Sequence, residues 1–315
     1  VPATAEETLA DEAARRKQAG AAAIGAGVAT MAAGIAGALV YSDVPSVPLL
    51  GALRERLTSD PPALSLKVRQ ALYYDDHAAG FVIAAILLAL TAAGMGLTLA
   101  FLYRSVKARR PEMPRIAVIL AIAGATFVAV GELVLPISII VEANGLASTA
   151  DPTAAAARDA LLPPAAVAGG LMRQLGVFGL GIGFIMITLN AMRVGLLTRF
   201  MGVLGIIVGG LTIIPLGAAL PIVQAFWLAA IGALFLGYWP PGLPPAWVTG
   251  EAQPWPTQQE LREQRLARRE ESGTSSSRSL PSLRRQRPEP PETPAPEAPE
   301  RPAHSSSKKR KRKRR

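Results

Sequence analysis

A single carboxylate, Glu132, interrupts the otherwise uncharged stretch Ile116–Val141. A carboxylate at mid-membrane depth costs about 2.5–3.5 kcal/mol on insertion scales, so such a side chain faces protein or a water-filled cavity. Pro136 follows four residues later and removes the backbone hydrogen bond to the Glu132 carbonyl. A carboxyl beside a freed carbonyl is chemistry suited to a proton or a cation, with His77 and Arg173 as candidate partners. The plainer reading is a carboxyl that hydrogen-bonds a neighbouring helix.

Two other clusters carry chemistry. Asp75, Asp76 and His77, with Glu142 at similar depth, offer oxygen and imidazole donors to a hard or borderline divalent cation. Two aspartates just before an apolar helix are also what a helix N-terminus favours, and that reading takes precedence. The other cluster is the unbroken run Lys308, Lys309, Arg310, Lys311, Arg312, Lys313, Arg314 and Arg315. Beside a membrane, such a run attracts anionic headgroups at about 1 kcal/mol per basic residue. Nucleic acid or an acidic protein is the lesser alternative.

Much chemistry is excluded. Without cysteine there is no disulfide, thiolate zinc site, iron–sulfur cluster or cysteine nucleophile, and two distant histidines, His77 and His304, cannot make a multi-histidine site within one chain. No nucleophile–base pair, HExxH, P-loop or dinucleotide fingerprint stands in a suitable context, and no cofactor is implied. Asn190 and Arg193 read as an interhelical hydrogen bond and a topology determinant.

The elements that must position these residues are apolar helices. A span needs about 20 apolar residues to cross about 30 Å of hydrocarbon. Such segments fall at about 19–41, 79–103, 116–141, 174–192, 199–216 and 222–239, the last two divided around Pro215 and Pro221. The fold class is therefore all-α, a polytopic bundle of six spans. Arg15, Arg16 and Lys17 precede the first segment as in a signal peptide, but an apolar stretch well past the usual ~7–15 residues reads as a retained helix. Between spans, 49–57, 64–74 and 153–162 read as short surface helices, either a cap over the outer end or plain connectors. Gly179-x-x-x-Gly183 and Gly205-x-x-x-Gly209 read as close helix contacts, and the Ala/Gly-rich first span as packed within the bundle.

Charge sets the orientation. Residues 240–315 hold 17 of the 33 Lys+Arg and 9 of the 23 Asp+Glu, a net +8, whereas residues 1–239 net only +2. Outside that tail, the N-terminus and the 104–115 and 193–199 loops carry 10 basic residues against 6 in the opposite loops. By the positive-inside rule both termini, including residues 1–18, are cytoplasmic, in an inner or plasma membrane. Trp239, Trp247 and Trp255 read as lying in the headgroup layer, and residues 240–271 as a juxtamembrane segment that ends in a charged helix opening at the capping box Thr257–Glu260. Residues 272–315, rich in Ser, Pro, Glu and Arg, read as disordered.

The stretch Asn190-Ala-Met-Arg193-Val-Gly-Leu-Leu-Thr-Arg199-Phe-Met-Gly-Val-Leu-Gly-Ile-Ile-Val-Gly-Gly210 ends one span with a basic turn and opens a Gly/Ile-rich one. With the long first outer loop and the short basic loop between spans two and three, it resembles the six-span bacterial membrane proteins of the domain of unknown function 4386 family, over about residues 19–239. That resemblance implies topology and supplies no catalytic residue. The expected role is a structural or interaction component working with lipid, a protein partner or a second copy of itself. A proton or cation transporter using Glu132 and Pro136 is the alternative, and a metal-dependent lipid-handling enzyme a weaker one.

Overall fold

The computed structural model describes residues 4–46, 65–214, 220–240 and 242–255, and individually 260, 262, 263 and 266. The chain divides into units 1–256 and 257–315, and the nine described helices lie in the first. They are α1 Ala5–Tyr41, α2 Leu66–Asp76, α3 Ala78–Arg109, α4 Ile116–Ala147, α5 Ala154–Leu161, α6 Pro164–Arg193, α7 Arg199–Ile213, α8 Leu220–Leu236 and α9 Ala246–Thr249. No strand occurs among the described residues.

Four of these helices, α1, α3, α4 and α6, are long and apolar enough to cross a membrane. α7 and α8 are apolar but shorter, at 15 and 17 residues. All six fall on the expected segments, yet most overrun them. α1 begins at Ala5, because Thr4 and Glu7 close a capping box ahead of the charged turns. Residues 5–18 are therefore helical and continuous with the apolar part of α1. α6 begins at Pro164, the position where a missing N–H costs a helix nothing.

The long helices are antiparallel neighbours in chain order, and the last returns to the first. α1 packs on α3, α3 on α4, α4 on α6, α6 on α7, α7 on α8, and α8 on α1. The end carrying the 110–115 turn is the basic end; the opposite end is the cap end. The expected cap is present there: Val68 and Ala71 of α2, Ala143 and Leu146 of α4, and Ala157 and Ala160 of α5 form a second small core. Ser65 and Thr153 cap the two short helices by accepting from Val68 N and Ala156 N. Tyr74 stacks on Phe81 there, and burial pushes its phenol pKa up. The segment expected at 49–57 lies outside the described residues.

Glycines set how close the helices come. On α6, Gly169, Gly176 and Gly183 recur every seven residues; on α4, Gly124 and Gly131 do the same. A Cβ at Gly124 would stand 2.2 Å from Leu180 N, and one at Gly176 would stand 2.6 Å from Val128 N. Backbone meets backbone along this seam. Gly179 and Gly183 both face α4, and Gly205 and Gly209 both face α6, so each expected small-residue pair lies at a contact. α1 repeats the device with Gly20, Gly27 and Gly34 turned to α8. A period of seven keeps one stripe in register with an antiparallel neighbour, as in coiled coils.

Inside the ring the space is filled by side chains. Trp227 and Phe184 are fully buried with Met95, Leu99, Leu102 and Ile187 around them. Trp227 donates its Nε1–H to Met201 O at 3.0 Å. The buried threonines Thr30, Thr91, Thr98 and Thr188 each donate to the carbonyl four residues back on their own helix.

Candidate functional site

Of the two partners expected for Glu132, the structure joins one. Arg173 Nε donates to Glu132 Oε1 at 2.5 Å, pairing α4 with α6. Gly131 makes room for it, since a Cβ there would meet Gly169 O at 2.6 Å and Arg173 Cβ at 2.7 Å. The pair sits on the flank of the bundle: the Arg173 side chain is 46 % exposed and that of Glu132 16 %. Pro136 is buried within an unbroken α4. Tyr41, at the end of α1, lies within electrostatic reach of both charges.

His77 is placed elsewhere. It forms the junction of α2 and α3, stacks on Tyr73 at 4.0 Å between ring centroids, and its Nδ1 lies 3.2 Å from Tyr73 O. No hydrogen bond or ion pair among the described residues links it to Glu132. Asp75 accepts from Asn144 Nδ2 at 3.0 Å, a tie between α2 and α4. The acids also fall at the end of α2 rather than capping α3, whose N-cap residue is His77 with no side-chain hydrogen bond. No group of three or more His, Asp or Glu side chains that could hold a metal ion is assembled among the described residues. Asp75, Asp76 and His77 are thus adjacent in sequence without converging on one point. The run Lys308–Arg315 lies outside the described residues.

The most connected polar constellation is one the sequence did not announce. At the basic end, Arg109 in the last turn of α3 grips Glu12 of α1 with both terminal nitrogens, Nη1 to Oε1 and, at 2.9 Å, Nη2 to Oε2. The arginine side chain is 0 % exposed and the glutamate 8 %. Arg109 also donates to Ser105 O at 3.0 Å and to Ala246 O at 2.6 Å, so three separate parts of the chain meet at one guanidinium. A planar fork is the side chain suited to this.

The segment after α8 closes over that pair. Trp247 is 4 % exposed rather than resting in a headgroup layer, because its Nε1–H donates to Leu196 O at 2.8 Å. Arg16 and Arg109 lie over its ring, 5.4 and 5.6 Å from the centroid, and Phe101 and Phe235 pack beside it. Trp255 does the same at half-buried depth, donating to Leu197 O at 2.8 Å. Gly195, at φ 78°, faces Gln253 O so closely that no Cβ would fit. Gly250, at φ 74°, lies similarly against Ala5 O. Residues 242–255 are therefore a strap across the end of the bundle. The charged helix expected to follow lies outside the described residues, except that positions 260, 262, 263 and 266 are helical.

One polar tie concerns residues singled out from sequence: Asn190 Oδ1 accepts from Arg110 Nη1 at 2.9 Å, joining α6 to the end of α3. Asn190 does make the interhelical bond expected of it. No family model, curated protein or solved structure matches the chain.

Proposed function

We propose that this chain is a multi-pass integral protein of a bacterial cell membrane, with six spans, both termini cytoplasmic and a structural or interaction role rather than a catalytic one. The observation that carries this is the outward belt of large apolar side chains on all six long helices. Val28, Ile86, Phe127, Phe178, Phe200 and Phe226 are all exposed. A water-soluble bundle does not present apolar surface on every face; lipid tails are the solvent that such a surface fits. α7 and α8, about 22 and 26 Å long at 1.5 Å per residue, are counted as spans because each packs along full-length neighbours between the two ends. A relation to the six-span domain of unknown function 4386 family, suggested by the stretch 190–210, is part of the same proposal.

Orientation rests on the basic residues gathered at one end with both ends of the ring. Because the chain has no cysteine, single cysteines report sidedness cleanly. Ser148→Cys, exposed at the cap end, is expected to react with a membrane-impermeant maleimide on intact cells, and Glu112→Cys, in the basic-end turn, only after permeabilisation. The reverse pattern would overturn the orientation, and labelling of both on intact cells would overturn the crossing itself.

A transporter needs a polar path, and the packed interior with self-satisfied threonines favours a non-transporting role. The Glu132–Arg173 pair then acts as a flank tie between α4 and α6. Reconstituted into vesicles, wild type and Glu132→Gln are expected to show the same proton and cation permeability as empty vesicles. Flux in the wild type that disappears in the variant would restore the transporter. For a metal-dependent enzyme, no donor set supports the idea among the described residues. The basic run 308–315 is proposed to rest on anionic headgroups, with a protein partner or second copy as further associations.

A further inference from the structure

Three recesses adjoin one another where α1, α3 and α4 approach the basic end. The first, about 420 Å³ between α1 and α3, is lined by Arg15, Gln18, Ala22, Leu97, Ala100 and Arg104. A second, also about 420 Å³, lies between α3 and α4; it shares Leu97 and Ala100, and Gly96, Ala125 and Ala129 keep it open. Leu97, 62 % exposed, is a ridge between the two recesses, whose deeper walls are apolar: Ala22 in the first, Ala93, Ala125 and Ala129 in the second. Counting along α3, Leu97 and Ala93 are about 10 and 16 Å deeper than Arg104, a depth that an acyl chain covers.

On the other side of the arginines the first recess continues into one of about 310 Å³, whose polar lining residues include Glu7, Asp11, Glu12, Arg15, Arg104 and Ser105. Glu12 is spent on Arg109. What remains is Arg15, Arg104, Asp11 and the second carboxylate oxygen of Glu7, whose Oε2 accepts from Thr4 N at 2.8 Å in the α1 cap. Arg15 and Asp11 are paired at 3.1 Å but about half exposed, so each has room for another partner. Arg104 is exposed and makes no hydrogen bond or ion pair among the described residues. Ser105 is 2 % exposed, and its buried Oγ has no hydrogen-bond partner. A buried hydroxyl without a partner is costly, and a ligand oxygen at this recess would relieve it.

We propose that these recesses form a site for one diacyl aminophospholipid. The phosphate lies between Arg15 and Arg104, the ammonium at Asp11 with Glu7 beyond it, and the Ser105 hydroxyl donates to a headgroup oxygen. One acyl chain runs on each side of Leu97. The pairing of charges selects the headgroup. A phosphate ester with its own ammonium matches both signs, whereas a purely anionic headgroup leaves Asp11 and Glu7 facing like charge. A choline headgroup offers no N–H to donate. The inference rests on the membrane reading above and adds a ligand class to it.

Native mass spectrometry of the purified full-length chain, mixed in detergent with phosphatidylethanolamine, phosphatidylglycerol or phosphatidylcholine, tests it. Phosphatidylethanolamine adducts are expected to dominate. Arg104→Gln, at an exposed position, is expected to reduce them about fivefold, the worth of one basic group at a lipid surface. Asp11→Asn is expected to abolish the preference for phosphatidylethanolamine over phosphatidylglycerol while total lipid binding persists. Equal retention of all three lipids by the wild type, or unchanged adducts in both variants, would overturn the site. A chain that does not fractionate with membranes fails the membrane reading itself; one that does, yet shows no headgroup preference, fails only this inference.

Discussion

Arg109→Ala is expected to lose about 3–5 kcal/mol of folding stability, the usual consequence of leaving one member of a buried ion pair alone. The loss is large because Glu12 then keeps its charge in a site closed over by Trp247 and the α9 backbone, while Ala246 O loses its donor. Glu12→Ala is expected to cost a similar amount, with the charge stranded on Arg109 instead. Glu12→Gln with Arg109→Met, which removes both charges and keeps the volume, is expected to be milder than either single change, because a buried pair repays its own desolvation poorly. Thermal unfolding of the purified protein followed by circular dichroism is the measurement. Additive single-variant losses in the double variant would mean that the two side chains do not act as a pair. Protease cleavage within residues 242–255 is expected to rise in the single variants, since the strap loses its anchor.

Gly124→Ala is the second change with a large expected effect. A single methyl there would stand 2.2 Å from Leu180 N and 2.8 Å from Gly176 O. Both obstacles are backbone, so no rotamer relieves the contact and α4 and α6 must separate along their length. Overpacking of this kind costs about 1–3 kcal/mol, and the upper part of that range is expected where the neighbour cannot turn aside. Gly25→Ala is the control. Nothing lies within 4 Å of the Cβ added there. Exchanging glycine for alanine in an open helix position is expected to be neutral or to stabilise by about 0.5–1 kcal/mol. Thermal unfolding in the same detergent separates the two, and equal behaviour of both variants would refute the close seam.

The sequence made some of this plain and hid the rest for physical reasons. Apolar length located all six long helices, because the cost of an unpaired backbone group in hydrocarbon leaves helix as the only economical form. Their ends were harder to place. Charge ends a hydrophobic stretch but does not end a helix, so α1 runs back through Glu12 and Arg16 to Ala5, and α4 runs on past Glu142 to Ala147. Arg173 was recognisable as a partner for Glu132 from depth alone, while His77, at comparable depth, turns to its own helix. The Glu12–Arg109 pair was illegible, since its members are 97 residues apart and each sits among other charges that suit a topology signal equally well. Trp247 misled for a related reason: an indole at the end of an apolar helix satisfies its N–H as readily on a carbonyl as on a headgroup. The seven-residue glycine period was visible all along at 124 and 131, at 169, 176 and 183, and at 20, 27 and 34.

The order of contacts around the ring bears on how the protein is made. As the chain leaves the ribosome, each long helix after α1 finds the neighbour it needs already synthesised, and five of the six seams close with short delays. The sixth does not. The face of α1 bearing Gly20, Gly27 and Gly34 fits only α8, which emerges nearly 200 residues later. Until α8 emerges the nascent protein carries an open slot along its first helix, and the Glu12 carboxylate waits at that helix's start for Trp247 to cover it. Closure of the bundle thus waits on α8 and the segment that follows it, and a product truncated ahead of them is left with an unfilled groove that quality-control proteases can read.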